Sequence, residues 1–112
     1  MKTFEVTTMW STTPDCFLSV DSYADNGHVA ISVWSESEGP FAGLTVNLPE
    51  TKNYPTNYAF VDTNNFPEAP EMIRRLRIGK YTGRMAVSGY CMYPLYQFDE
   101  TALKEWAMPE GE

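Results

Sequence analysis

Residues 16–34 read CFLSVDSYADNGHVAISVW and contain two β-strand patterns on either side of a turn signal. Within Asp25-Asn26-Gly27, the Asn and Gly residues tolerate the positive φ angles that a tight hairpin turn requires. The flanking segments, residues 16–23 and 28–34, are rich in β-branched and aromatic residues, and the second alternates aliphatic with small residues. The stretch therefore predicts an antiparallel β-hairpin.

Two further patterns extend this hairpin into a sheet. Residues 4–10 alternate apolar with polar side chains and precede a turn-like segment at residues 11–14. Residues 41–48 alternate in the same way and follow the turn signal Glu38-Gly39-Pro40. Together the four strands predict a β-meander with one apolar side. Shorter strands are predicted at residues 58–62, 85–87 and 93–98.

Two helices are predicted to cover this apolar side. The first has Ala69, Met72, Ile73 and Leu76 at helical spacing and ends at Gly79, with Asn64 or Asn65 placed as its N-cap. The second begins after Asp99, an N-cap residue, and directs Leu103, Trp106 and Ala107 inward.

The predicted fold class is α+β, with an antiparallel β-meander sheet of about five to six strands covered on one face by one or two helices. A single domain is expected to span residues 1–112, with the last residues, MPEGE, frayed.

Composition narrows the class of protein. The chain has 112 residues, of which 43% are hydrophobic, which favours a folded globular domain. It has no secretory signal and no run of 18 apolar residues, so the expected location is the cytoplasm, with no membrane contact. Cys16 and Cys91 are then expected to be reduced.

The sequence contains few residues suited to catalysis. One histidine, His28, and two distant cysteines are too few for a zinc site, so no metal is predicted. Phosphate-binding loops and nucleophile signatures are also lacking, so no cofactor and no catalytic residue are predicted.

Charge is distributed unevenly. The segment RRLRIGKYTGR, residues 74–84, has a net charge of +5, whereas the whole chain has −7. We take its five cations as candidate interaction residues: Arg74, Arg75, Arg77, Lys80 and Arg84. They could meet phosphates or the carboxylates of a protein, and because the rest of the chain repels nucleic acid, direct nucleic-acid binding is not expected.

Two other groups of residues are candidates. Trp34, Glu36 and Glu38 would form an acidic, aromatic contact on the sheet, where large amphipathic side chains anchor partners well. A pocket between helix and sheet, lined by polar and phenolic groups beside Arg84, would suit a small molecule. Its candidate residues are Asn64, Asn65, Tyr90 and Tyr93.

Three stretches of the chain are YADNGHVAISVWSESEGPFAGLTVNL, FVDTNNFPE and TGRMAVSGYCMYPLYQFD. They resemble a family of small domains of unknown function carried by conjugative elements and phages of gut bacteria. The resemblance implies a setting on a mobile element, and it brings no catalytic residue with it.

The sequence and the resemblance together lead to three functional hypotheses. The first is a non-catalytic mobile-element or phage protein that binds a protein partner, as an inhibitor of a host defence nuclease or another nucleic-acid-handling enzyme (the anti-CRISPR or anti-restriction type). The second is a small-molecule or nucleotide-binding domain that uses the pocket. The third is a nucleic-acid accessory protein that uses the basic segment.

Overall fold

The computed structural model describes residues 2–108, which form eight strands, two α-helices and one 3₁₀ helix. In chain order the elements are β1 (Phe4–Thr7), β2 (Thr12–Ser22), β3 (Val29–Ser35), β4 (Gly39–Gly43), β5 (Thr45–Val46), the 3₁₀ helix (Pro49–Asn53), β6 (Tyr58–Val61), α1 (Ala69–Leu76), β7 (Gly79–Ser88), β8 (Cys91–Phe98) and α2 (Glu100–Trp106).

Strands β1 to β4 form an antiparallel sheet in chain order, here called the N-terminal sheet. The predicted hairpin is confirmed: Gly27 has φ +73° and its N–H donates to the carbonyl of Tyr23 over 2.8 Å. The turn predicted at residues 11–14 is wrong, because β2 already begins at Thr12. The turn lies earlier, where the hydroxyl of Thr8 accepts from the N–H of Trp10 and Ser11.

The strand predicted at residues 41–48 is divided at Leu44. The N–H of Leu44 donates to Ile31 in the N-terminal sheet over 2.9 Å, and its carbonyl accepts from Asp62 over 2.9 Å. On one side of Leu44 the chain pairs with β3, and on the other side β5 pairs with β6. The chain therefore passes at this fully buried residue from one sheet to the other.

The second sheet, here called the C-terminal sheet, has the antiparallel order β5-β6-β8-β7. Its longest pairing is the hairpin of β7 and β8, and β7 begins at Gly79, well before the strand predicted at residue 85. A β-bulge lies between Tyr81 and Met85, where Gly83 has φ +88° and the hydroxyl of Thr82 donates to the carbonyl of Leu95 over 2.9 Å.

The predicted α+β class, with antiparallel strands and two helices, is confirmed. The strands number eight rather than five or six, and they form two sheets of four instead of one. The crossing at Leu44 is the physical reason for this division.

The main core lies between the two sheets and the helices. Met72, Ile73 and Leu76 of α1 and Leu103 of α2 pack there against Leu18, Val33, Val61 and Phe98 of the sheets. A smaller core on the other face of the C-terminal sheet contains Leu48, Phe60, Ala86 and Leu95.

The helix ends meet the sequence predictions in part. Glu68, and neither Asn64 nor Asn65, occupies the N-cap of α1, where the first turn contains Pro70. For α2 the prediction is confirmed, since the carboxylate of Asp99 accepts from the N–H of Thr101 and of Ala102.

The two ends of the described chain lie side by side. The N–H of Lys2 donates to the carbonyl of Glu105 over 3.0 Å, and the side chains of the same two residues form an ion pair at 3.3 Å. Met108 donates from its N–H to Leu18 of β2 over 3.0 Å. Of the predicted frayed segment MPEGE, residues 109–112 lie outside the described residues.

No helix among the described residues is long and apolar enough to cross a membrane.

Candidate functional site

The far half of the β7–β8 hairpin presents apolar side chains to solvent. Tyr81, Met85, Val87 and Met92 are 48%, 46%, 63% and 55% exposed. The strand register pairs Tyr81 with Tyr96, Met85 with Pro94 and Val87 with Met92, and directly paired residues point to the same face of a sheet. The four exposed residues therefore share one face, here called the apolar hairpin face.

This face continues the main core. Phe98 and Tyr96, on the same side of β8, are 1% and 8% exposed and belong to the main core. The rings of Tyr81 and Tyr96 lie 5.7 Å apart between centroids, which joins the buried half to the exposed half. Beyond the bulge Met85, Val87 and Met92 are exposed on this face, although Pro94 is buried there, and the tip of the hairpin projects into solvent.

The tip of the hairpin is a turn at Ser88-Gly89-Tyr90, in which Gly89 has φ +63° and Tyr90 is fully exposed. Behind the tip, Cys91 and Tyr93 point to the opposite face of β8. The neighbouring Cys91 side chain, and then burial, raises the pKa of the Tyr93 phenol.

The first two cations of the basic segment are engaged at the surface of α1. The guanidinium of Arg74 forms an ion pair and two hydrogen bonds with Glu71, and the hydrogen bond from Arg74 lowers the pKa of the Glu71 carboxyl. Arg75 donates to the backbone carbonyl of Glu5 in β1. These contacts give both residues a structural role.

The other three cations are exposed, and within residues 2–108 none of them forms an ion pair. Arg84 lies in the bulge, where its N–H donates to the hydroxyl of Thr82. Arg77 ends α1 with φ +59°, and it lines a cleft of about 640 Å³ together with Lys80. The cleft is also lined by Asn57, Gly79, Gln97, Phe98, Asp99, Glu100 and Thr101.

The predicted contact of Trp34, Glu36 and Glu38 belongs to the other sheet. Trp34 pairs with Phe17 on the face turned away from the main core, and its indole N–H donates to Ser32 over 3.0 Å. Glu36 and Glu38 are exposed in the turn between β3 and β4. The structure thus places the acidic candidates on the N-terminal sheet and in its β3–β4 turn, and the basic candidates on α1 and β7.

The predicted pocket residues do not line either of the two clefts found in the described residues. Asn64 and Asn65 lie in the turn before α1, where the amide of Asn65 donates to the carboxylate of Asp62 over 3.0 Å. Tyr90 lies at the hairpin tip. A ligand pocket formed by these residues stays a prediction.

The remaining reactive side chains have structural surroundings. His28 is buried rather than at an exposed edge, and its Nδ1 lies 2.9 Å from the carbonyl of Tyr58. Burial is the main cause that raises the pKa of the Cys16 thiol, and both cysteines are free. Among residues 2–108, no three histidine, cysteine or carboxylate side chains are close enough to hold a metal ion.

Sequence reasoning missed the apolar hairpin face. It predicted strands at residues 85–87 and 93–98 around Ser88-Gly89, but it assigned no role to Met85, Val87 or Met92. The order of elements could have indicated this exposure. Within residues 2–108 α2 is the only element after β8, and it lies against β2, so it is not available to cover the hairpin. Two further exposed residues, Met9 and Trp10, lie at the turn between β1 and β2.

These features define a small two-sheet α+β domain with an acidic sheet and a projecting, partly apolar hairpin. Residues 17–111 match the model of a family described as "Domain of unknown function (DUF4313)", and the chain belongs to that family. Comparison with curated proteins and with solved structures finds no match.

Proposed function

We propose that this domain is a non-catalytic protein-binding module whose partner covers the apolar hairpin face. The observation that carries the proposal is the alignment of four apolar side chains, 46% to 63% exposed, on one face of the hairpin. Contiguous apolar patches on soluble proteins mark interaction sites, whereas single exposed apolar residues do not. Tyrosine and methionine are also enriched at protein interfaces.

The more specific form of the proposal is that the domain belongs to a mobile element or phage and inhibits a host defence nuclease or another nucleic-acid-handling enzyme. The charge of the N-terminal sheet supports this form. Residues 3–51 contain seven acidic residues and no lysine or arginine, and six of those acids are exposed. Such a surface complements the cationic grooves of nucleic-acid-binding proteins.

The first test is affinity capture from a host lysate with wild-type protein, followed by calorimetry with the purified candidate partner. A triple variant, Met85→Ala, Val87→Ala and Met92→Ala, removes most of the apolar hairpin face. If each truncation costs about 0.5 kcal/mol or more, the Kd rises at least about tenfold.

The matched control is Met9→Ala with Trp10→Ala, which removes two exposed apolar residues at the turn between β1 and β2 in the other sheet. This control is expected to bind like the wild type. If the hairpin variant also binds like the wild type, or if the wild type captures no stoichiometric partner, the proposal is wrong.

The inhibitor form requires a second readout. The activity of the captured enzyme is measured with wild-type protein and with a Glu36→Lys, Glu38→Lys variant, which reverses two exposed charges. Loss of inhibition by the variant supports the acidic surface as the inhibitory contact. An enzyme whose activity is unchanged by the wild-type domain contradicts the inhibitor form and leaves the binding proposal standing.

A further inference from the structure

We infer that the partner supplies an extended, acidic strand that pairs with the open edge of β7. This inference rests on the proposed function, because it names the kind of partner that covers the hairpin. Three features of the molecule support it: the open edge of the sheet, the exposed side chains beside that edge and the distribution of charge.

β7 is the longest edge strand of the domain. It has ten residues, whereas the other edge strands, β1, β4 and β5, have four, five and two. β7 pairs only with β8, and no backbone hydrogen bond outside that pairing involves residues 79–88 within the described chain. An edge strand presents unpaired N–H and C=O groups that can pair with another chain.

The part of β7 beyond the bulge has few of the features that protect an edge. Residues 85–88 are Met, Ala, Val and Ser, with neither a charge nor a proline. β4 in the N-terminal sheet, by contrast, is short and contains Pro40. Strand addition at β7 would place the partner's alternate side chains beside Met85 and Val87, so the backbone would provide affinity and the apolar hairpin face would provide selectivity.

Charge complementarity at β7 selects an acidic strand in the partner. Residues 72–98 contain five cations and no acidic residue. Of these cations, Lys80 and Arg84 lie on β7 itself and form no ion pair within residues 2–108. Carboxylates on an added strand would give them partners, which favours the correct encounter and its register.

The same charges disfavour a second copy of this chain at the edge. Antiparallel pairing of β7 with β7 centred on Thr82 would set Lys80 of each copy opposite Arg84 of the other, and like charges directly opposite on paired strands are destabilising. Nucleic acid would satisfy the charges but would leave the open backbone groups and the apolar side chains without matching contacts.

The experiment selects ligands for the folded wild-type domain from a random dodecapeptide display library. The expected peptides are rich in Asp and Glu and alternate these with apolar residues. The most enriched peptide is then synthesised, together with an analogue whose alternate backbone nitrogens are methylated. Methylation removes the N–H donors and keeps the side chains. A large loss of affinity is therefore required only if the peptide pairs with β7 as a strand, and we expect at least about tenfold weaker binding.

Two protein variants and one further measurement locate the contact. The double variant Lys80→Glu, Arg84→Glu is expected to bind the peptide at least about tenfold more weakly. Lys104 is an exposed cation on α2, and Lys104→Glu is expected to leave peptide binding unchanged. Circular dichroism checks that each variant is folded. Hydrogen exchange is expected to slow at least tenfold at the outward amides of residues 85–88 when the unmethylated peptide binds.

The inference is overturned if no peptide is enriched, if the enriched peptides lack acids, or if the methylated analogue binds as well. It is also overturned if light scattering shows a wild-type dimer that the Lys80→Glu, Arg84→Glu variant abolishes, or if a single-stranded oligonucleotide competes for β7. When binding needs Met85, Val87 and Met92 but leaves the β7 amides unprotected, strand addition fails and the proposed function stands. When captured partner and peptides ignore these three residues, both fail.

Discussion

The two sheets are built in the same antiparallel way and differ in what they leave exposed. The N-terminal sheet, residues 4–43, carries six exposed acids, no lysine or arginine, and edge strands of at most five residues. The β7–β8 hairpin carries two cations and no acid, and its edge strand has ten residues. One sheet thus has protected edges and a charged surface, while the other has an open edge beside apolar side chains.

The difference separates residues that hold the fold from residues that are available for a partner. β3 directs Val29, Ile31 and Val33 into the core along its whole length. On the face of β8 that carries Met92 and Phe98, side chains are buried only from Pro94 onward. Regions with few buried apolar contacts open at lower free energy than the core, and binding surfaces are drawn from them. The apolar hairpin face therefore adds little to stability.

Truncation along one face of β8 tests this division with the largest expected effect. Phe98→Ala removes a fully buried ring from the main core and is expected to lower the free energy of unfolding by about 3–5 kcal/mol. Met92→Ala, on the same face and exposed, is expected to change it by no more than about 0.5 kcal/mol. Urea denaturation measures both, and similar losses would contradict the division.

The next prediction compares the effect on stability of replacing one glycine in each sheet by alanine. A Cβ at Gly79 in β7 would lie 2.9 Å from the carbonyl oxygen of Gln97 and 3.0 Å from the ring of Phe98, so Gly79→Ala is expected to cost about 1–3 kcal/mol. At Gly43 in β4 the nearest atom is 4.0 Å away, and Gly43→Ala is expected to be neutral or to stabilise by up to about 1 kcal/mol. Equal effects in urea denaturation would show that the close approach at Gly79 relaxes easily.

The cap of α2 gives a smaller effect, because α2 connects the end of β8 to β2. Asp99→Ala removes the acceptor for two backbone N–H groups and is expected to cost about 1 kcal/mol, whereas Asp99→Asn keeps an acceptor and is expected to cost a few tenths. Thermal unfolding of the two variants under the same buffer measures the difference. If Asn is as destabilising as Ala, the carboxylate charge matters more than the hydrogen bonds.

The smallest expected effect is a pH dependence of the free energy of unfolding, caused by Tyr23 next to the N-terminal sheet. Burial raises the pKa of Tyr23, whose hydroxyl lies 2.8 Å from that of Thr45. The folded state therefore holds this proton more tightly than the unfolded state, so the contribution is present below the ordinary tyrosine pKa of about 10 and is lost as pH rises through the folded pKa. Urea denaturation between pH 9 and 11, values chosen around that pKa, should show a shallower decline for Tyr23→Phe than for the wild type.

Local signals in the sequence predict the elements that depend on adjacent residues. The hairpin at Asn26-Gly27 and the cap at Asp99 need only the conformational freedom of glycine or one side-chain acceptor. The crossing at Leu44 has no such signal, because residues 41–48 alternate as a continuous strand would. The strand is divided because the N–H of Leu44 donates to Ile31 of β3 while its carbonyl accepts from Asp62, which follows β6.

The candidate site was predictable to a lesser degree. Charge identified Lys80 and Arg84, which do lie on the projecting hairpin, and it could not show that Glu71 engages Arg74. The exposure of Met85 and Val87 depends on which face the helices leave uncovered, a property of the assembled layers and not of residues 79–98 alone. Aromatic and methionine residues in an alternating pattern are more often core, so the sequence favoured burial.

The contact between Lys2 and Glu105 makes the domain suitable for circular permutation and for insertion into another protein. Because the ends of the described chain lie side by side, a short linker could close them, and new termini could be opened elsewhere by circular permutation. An opening at Ser88-Gly89 would separate β7 from β8 in the chain while leaving their pairing possible. The same adjacency would allow the domain to be inserted into a surface loop of another protein.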